Sequence, residues 1–344
     1  FGGTVIWMNC EDDPWGQRQE TDHLRDMTGE IPGNAFIVTK QKYWDFHSRW
    51  PRHPLYDTIA KDTEGKSPYM SALQQPGEYH GCHEFPWCNV DEWSKAFRDM
   101  YEAGMQGVMV VAQVHHDGWD HPLNMVNWSA LTEYMHNPNS DPQQLKLSWA
   151  RKEFGFEVAS TVVEVLNNVT ESARGAFEFD ALWTVCHSRL ANLAYMDSHL
   201  CGPLRQTSRI KRMIGLALPL DMYKAERAAE IRKDPNVRLV FNRVEITLEV
   251  KAQAIKQKQD GVTLMQNAVN LWRGLGGKID AEIHKNILEG LRGNRDDTMI
   301  FLKAMDLYMD WKLGLLTEEK IDATLHSCKG LRGVIVSEPL APRP

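Results

Sequence analysis

Ala35-Phe36-Ile37-Val38-Thr39, running into Lys40-Gln41-Lys42-Tyr43-Trp44-Asp45-Phe46-His47, is the stretch on which the fold turns. Its first five residues are apolar or β-branched and read as a strand. One carboxylate, Asp45, stands just past the strand's end. The layout recurs downstream: Tyr69–Leu73 reads as a strand and leads to Gln75-Pro76-Gly77-Glu78-Tyr79-His80-Gly81. In a parallel α/β barrel the C-terminal ends of the strands carry the active site. Two carboxylates from neighbouring strands are what sugar hydrolysis needs.

Working outward, Thr4–Trp7 reads as an earlier strand and Gln17–Met27 as a polar helix. Val90–Glu102 reads as a helix, with Trp93, Ala96, Phe97 and Met100 on one face and Asp91 and Glu92 in its first turn. Gly107–Val114 reads as the clearest buried strand, and Met125–Tyr134 as the next helix. Strands alternating with helices argue for a parallel sheet. A (β/α)8 barrel takes roughly 250 residues. Four strand–helix units before residue 150 therefore read either as the second half of such a TIM-type barrel or as a smaller fold.

Beyond about residue 145 the pattern becomes helical. Glu157–Ala176 carries Val158, Val162, Val165, Leu166 and Val169 at helical spacing. Tyr223–Lys233 stops at Asp234-Pro235. The further helical stretches are Val237–Gln259, Leu264–Leu275, Ile279–Leu291, Asp296–Leu313 and Thr317–Ser327, the last with Thr317 as N-cap and two glutamates in its first turn. The expected fold class is thus α/β over residues 1–150, a half-barrel, followed by an all-α domain over residues 151–344.

Composition narrows the partners. A net charge of −7 without a dense basic stripe argues against nucleic acid. No apolar run is long enough to span a bilayer. Six cysteines scattered through 344 residues do not read as a disulfide framework. No signal or transit peptide is visible ahead of Phe1-Gly2-Gly3, and that says nothing about compartment if the N-terminus is missing.

Residues 2–154 resemble the second half of the catalytic barrel of glycoside hydrolase family 67, the xylan α-glucuronidases. Gly2-Gly3-Thr4-Val5-Ile6-Trp7 is similar to that family's Gly-Gly-x-Val-Ile-Trp strand. Asn34–Lys40, continuing to Asp45-Phe46 and His53-Pro54-Leu55, resembles its strand with a lysine, an Asp-Phe pair and a later Pro-Leu. Gly77-Glu78-Tyr79-His80-Gly81 resembles Gln-Glu-Tyr-Leu-Gly. Ala103-Gly104-Met105-Gln106-Gly107-Val108 resembles Ala-Gly-Met-Gln-Gly-Val. His121-Pro122, Asn127-Trp128, Trp149 and Phe154-Gly155 resemble the family's next segments, in the same order.

The resemblance implies an inverting hydrolase of an oligosaccharide substrate, in which Asp45 and Glu78 form the pair that orients and deprotonates water. It implies that Lys40 contacts a uronic-acid carboxylate, for which a lysine point charge is suited; a strand-end salt bridge to Asp45 is the plainer alternative. His115, His121, Asn127 and Trp128 are expected at the substrate. The histidines would also serve as loop structure, Trp128 as core, and Asn127 as a helix cap. No metal and no cofactor is implied, and pairing through the helical domain would give a homodimer.

Three departures stand out. The family's general acid is a glutamate on an earlier strand, upstream of Phe1. Its substrate-binding arginine after Val-Ile-Trp is here Met8, which opens the way to another uronic acid, a neutral sugar or a non-catalytic carbohydrate-binding protein. Lys42-Tyr43-Trp44 replaces a small turn. His80, Cys82, His83, Glu84 and Cys88 cluster in sequence, but lack the paired spacing of a zinc site.

Overall fold

The computed structural model describes residues 5–8, 35–40, 56, 69–74, 86–111, 121–179, 182–183, 185–186, 189–190, 216–217, 225–226, 229, 233, 240–241 and 246–327. Four strands form one parallel sheet in chain order: β1 (Val5–Met8), β2 (Ala35–Lys40), β3 (Tyr69–Gln74) and β4 (Gly107–Val111). Ile37, Val38 and Thr39 of β2 are all buried, so this strand is covered on both faces, as parallel strands are. Met109 and Val110 of β4 are only half-buried. Sequence predicts β4 as the most buried strand. It is less buried than β2, and among the described residues it pairs with β3 alone. These four strands form an open sheet and, among the described residues, do not close into a barrel. The stretch beyond residue 151, which reads in sequence as all helical, also holds three short antiparallel pairs: Glu178–Phe179 with Leu182–Trp183, Val185–Cys186 with Arg189–Leu190, and Leu216–Ala217 with Val240–Phe241.

Helix α1 (Val90–Glu102) has the bounds its apolar spacing predicts, and buries Val90, Trp93, Ala96, Phe97 and Met100. It ends at Gly104, whose φ of 73° lets Met105 N–H reach back to Met100 O. Helix α2 (Met125–His136) comes after a short 3-10 turn, Pro122–Asn124. Helix α3 (Pro142–Phe154), which the apolar spacing does not predict, starts at an Asp141 cap with Pro142 in the first turn, and stops at Gly155. Helix α4 (Ala159–Phe177) matches the stretch Glu157–Ala176 predicted as helical.

Two pairs of predicted helices are single helices. Helix α5 runs unbroken from Leu248 to Arg273, across the gap expected after Gln259. Its start is later than predicted, because Val240–Phe241 pairs antiparallel with Leu216–Ala217. Helix α6 (Ala281–Leu313) crosses Gly293-Asn294, which reads in sequence as an interruption. Its 33 residues span about 50 Å. Helix α7 (Glu318–Ser327) is capped by Thr317, whose hydroxyl accepts from Lys320 N–H. In the stretch Tyr223–Lys233, predicted as a helix, residues 225–226, 229 and 233 are helical; the helix expected at Gln17–Met27 lies outside the described residues.

One apolar cluster runs from Ile37 and Trp93 through Val126, Trp149 and Val165 to Trp272, Ile287 and Phe301. The helices beside the sheet and the helices beyond residue 150 therefore share a core. Among the described residues no helix is long and apolar enough to cross a membrane.

Candidate active site

Because the four strands are parallel, their C-terminal ends lie along one edge of the sheet. The register sets Met8 opposite Val38, Lys40 opposite Ala72, and Gln74 opposite Val111. Met8 and Lys40 thus stand at the ends of adjacent strands. From these ends the chain runs on to Asp45, five residues after Lys40, to Glu78, four after Gln74, and to His115, four after Val111. Asp45, Glu78 and His115 themselves lie outside the described residues.

Among the described residues, a hydrogen-bonded clamp holds the segment just ahead of helix α1, Trp87–Asn89. Three consecutive amides are each held by a side chain from elsewhere. Trp87 N–H donates to Asn124 Oδ1 (2.7 Å), Cys88 N–H to Thr170 Oγ1 (2.9 Å) and Asn89 N–H to Asn127 Oδ1 (2.7 Å). Asn127 Nδ2 returns a bond to Trp87 O (2.7 Å), and Tyr134 OH donates to Val90 O (3.0 Å). Asn127 is 0% exposed, so both ends of its amide serve the protein. It lies in the first turn of α2 without capping it. The Asn89 side chain, at the N-cap position of α1, likewise makes no cap bond, since Asn89 Oδ1 accepts from the Trp87 indole (2.5 Å).

Electrostatics at the clamp favour neutral groups. Burial pushes the Cys88 thiol up to about 11, which opposes a metal-binding thiolate. His80, Cys82, His83 and Glu84 lie outside the described residues. Burial likewise pushes the Tyr134 phenol up to about 12, keeping it a donor. The guanidinium of Arg174, one turn beyond Thr170, lies 5.3 Å from the Trp87 ring and 3.6 Å from Glu92. Trp87 is fully buried, so this tryptophan is core and not a sugar platform.

His121 stands just ahead of Asn124, on the β4 side of the clamp. Its Nδ1 accepts from Leu123 N–H (3.1 Å), which places the ring proton on Nε2. Nε2 faces Gly290 of α6, where an added Cβ would stand 3.9 Å away. Helix α6 therefore passes beside His121, the residue just ahead of the 3-10 turn Pro122–Asn124. Trp128 is half-buried against the apolar cluster.

Asn124 and Thr170 carry no signal in the sequence. Their polarity is ordinary, and their partners lie 37 and 82 residues away along the chain. An apolar cavity of about 170 Å³ between α1 and α2, lined by Phe97, Met100, Met105 and Tyr134, opens at the start of β4, the opposite end from the strands' shared C-terminal edge.

No known family's sequence model matches the chain, and no curated protein matches it. Among solved structures, the chain is similar to a GH138 enzyme targeting pectin rhamnogalacturonan II, with a TM-score of 0.52 at 13% sequence identity. The match covers 95% of this chain and 47% of that one, so this chain spans about half the length of that enzyme. The likeness is one of fold. The chain shares its fold with about half of that enzyme.

Proposed function

We propose that this chain is part of an inverting glycoside hydrolase acting on uronic-acid-bearing oligosaccharides, with the β1–β4 sheet as half of a (β/α)8 barrel. The observation that carries this is the parallel sheet in chain order, whose shared C-terminal edge leads to both Asp45 and Glu78. The fold likeness to a carbohydrate-active enzyme of about twice the length supports it.

In this reaction Asp45 and Glu78 orient a water and take its proton as it attacks the anomeric carbon. An acid roughly 6.5–9.5 Å away protonates the leaving oxygen. That acid falls on an earlier strand, outside this sequence. Lys40 attracts the substrate carboxylate from the end of β2. His115, His121 and Trp128 border the sugar. The first substrate to test is a xylo-oligosaccharide bearing 4-O-methylglucuronate.

Met8 supports a second reading. A thioether at the end of β1 cannot bind the carboxylate as the related arginine does. The fold neighbour's target, pectin, is rich in galacturonate, so galacturonate-bearing oligosaccharides form the second arm. Glu78→Gln and Asp45→Asn in the intact protein should each lower turnover at least about 100-fold with an unchanged melting temperature. Near-normal hydrolysis in both variants would remove the proposal. Binding without turnover by the unaltered protein would point to a carbohydrate-binding role.

A further inference from the structure

We infer that the cavity between α1 and α2 is a binding site for a small uncharged molecule with one aromatic ring and one polar substituent. It lies at the end of the sheet opposite the strands' C-terminal edge. The inference goes beyond the proposed hydrolase activity and does not depend on it.

The cavity forms where α1 ends and β4 begins. Gly104, with a φ of 73°, turns the chain there, and Met105 N–H returns to Met100 O at 3.0 Å. Helix α1 buries Phe97 and Met100, and α2 buries Tyr134. The Phe97 and Tyr134 rings are stacked, with centroids 5.6 Å and planes 30° apart. Tyr134 OH donates to Val90 O at 3.0 Å, so the hydroxyl is spent on backbone and the ring serves as apolar wall. Gly107 and Val108 of β4 add to the lining.

Size selects the guest first. A volume of about 170 Å³ is close to that of cavities that accept a benzene ring. It is below the roughly 300–1,000 Å³ of sites for drug-sized ligands, so the guest is one ring and not a sugar chain. Water would find few partners against this lining, and an apolar guest displaces it favourably. Two observations favour an aromatic ring over an aliphatic one. The stacked Phe97–Tyr134 pair presents a further ring to meet edge-on or offset. Three thioethers, from Met100, Met105 and Met135, line the same space. Sulfur makes favourable contacts with ring edges, and unbranched methionine adapts to the guest's shape. The polar substituent follows from the mouth. Tyr101 is 70% and Met135 63% exposed, and Gln106 is exposed beside them. A guest that enters ring first leaves its polar group near the Tyr101 hydroxyl and the Gln106 amide. Among the described residues none that lines the cavity is charged, so a carboxylate or ammonium would find no counter-charge there.

The test uses phenol, with cyclohexanol as its saturated counterpart, on the intact protein carrying methyl-labelled methionine. Phenol should shift the methyl resonances of Met100, Met105 and Met135 saturably, with a Kd of about 0.1–1 mM. Those of Met299, Met305 and Met309 on α6 should stay in place. Cyclohexanol should bind at least about 10-fold more weakly. Met105→Phe, which fills the space, should weaken phenol binding at least about 10-fold. Should that variant fail to fold, Met135→Trp, which brings bulk in from the exposed mouth, decides by the same criterion. The inference is overturned if no saturable shift is seen, if the α6 methionines respond equally, or if the filled variant binds phenol unaltered. Equal binding of cyclohexanol would show a void without preference for a ring. Shifts of the same three methyls that grow with protein concentration alone would mean that a second copy fills the cavity. Each of these also overturns it. Binding is read without turnover, so the outcome is separate from that of Glu78→Gln.

Discussion

At the scale of single residues, buried polar groups show which contacts the fold cannot do without. Lys146 is 1% exposed, and its ammonium reaches Asp91 Oδ2 at 2.7 Å and Asn167 Oδ1 at 2.9 Å. It joins α3 to α1 and α4. The two partners of the ion pair are not equivalent. Asp91 is 49% exposed and would be rehydrated if Lys146 were lost, whereas Lys146 has no such recourse. Asp91→Ala should therefore cost about 3 kcal/mol in urea unfolding, from a buried charge left with one neutral acceptor, and Lys146→Met about 1 kcal/mol or less. Equal costs would show that water reaches the lysine. Neither Lys146 nor the clamp residues Asn124 and Thr170 announce this burial in sequence. An ammonium or amide is solvated by default, and only the meeting of distant segments desolvates it.

At the scale of elements, the clearest departures from sequence are α5 and α6. Gly261 reads as a weak point, since glycine in a helix interior costs about 1 kcal/mol relative to alanine. In the structure it is where α5 crosses α4. A Cβ on Gly175 would lie 3.3 Å from Gly261 Cα, and a Cβ on Gly261 would lie 3.2 Å from Ser172 O. Ser172 Oγ donates to Gly261 O at 2.6 Å across the same contact. The two glycines let the backbones approach, and close packing offsets the lost propensity. Gly261→Leu should push the helices apart and lower stability by about 2–3 kcal/mol in chemical denaturation. A neutral or stabilising outcome would mean that the crossing is loose. Helix α1, by contrast, is legible to the residue. Its apolar spacing, first-turn acids and following glycine agree with one another, and nothing distant overrides them.

At the scale of the whole molecule, helices α5, α6 and α7 meet at a box of charge. Lys251 pairs with Asp306 (2.9 Å) and Asp310, and Lys320 pairs with Asp306 (2.7 Å) and Asp310. Burial alone would raise the Asp310 carboxyl. The ammonium groups of Lys251 and Lys320 outweigh it and hold that carboxyl below its ordinary value of 3.8. Lys320 is displaced the other way: burial favours its neutral form, but Asp306 and Asp310 prevail and raise it above 10.5. A carboxyl depressed on folding contributes stability above its unfolded value, and that contribution is lost as pH falls through the folded one. A lysine raised on folding contributes below about 10.5 and loses its contribution as pH rises further. Asp310→Asn should therefore melt several degrees below the unaltered protein at pH 7, with the gap closing as pH falls below the ordinary carboxyl value in parallel melting curves. A gap independent of pH would assign the effect to packing.

The sequence by itself determined the four strands β1–β4, the helices α1 and α2, the stretch of helix α4, the bounds of α1, and the placing of Asp45 and Glu78 after two successive strands. These come from local periodicity and turn chemistry, which a short window of residues contains. Only the tertiary structure decided that α5 and α6 run unbroken, that the core passes across residue 150, and that Asn127 holds backbone instead of standing free. Each of these depends on a partner tens of residues away. A buried amide or a close-packed glycine takes its meaning from that partner, because desolvation and close approach arise only when the chain has come together.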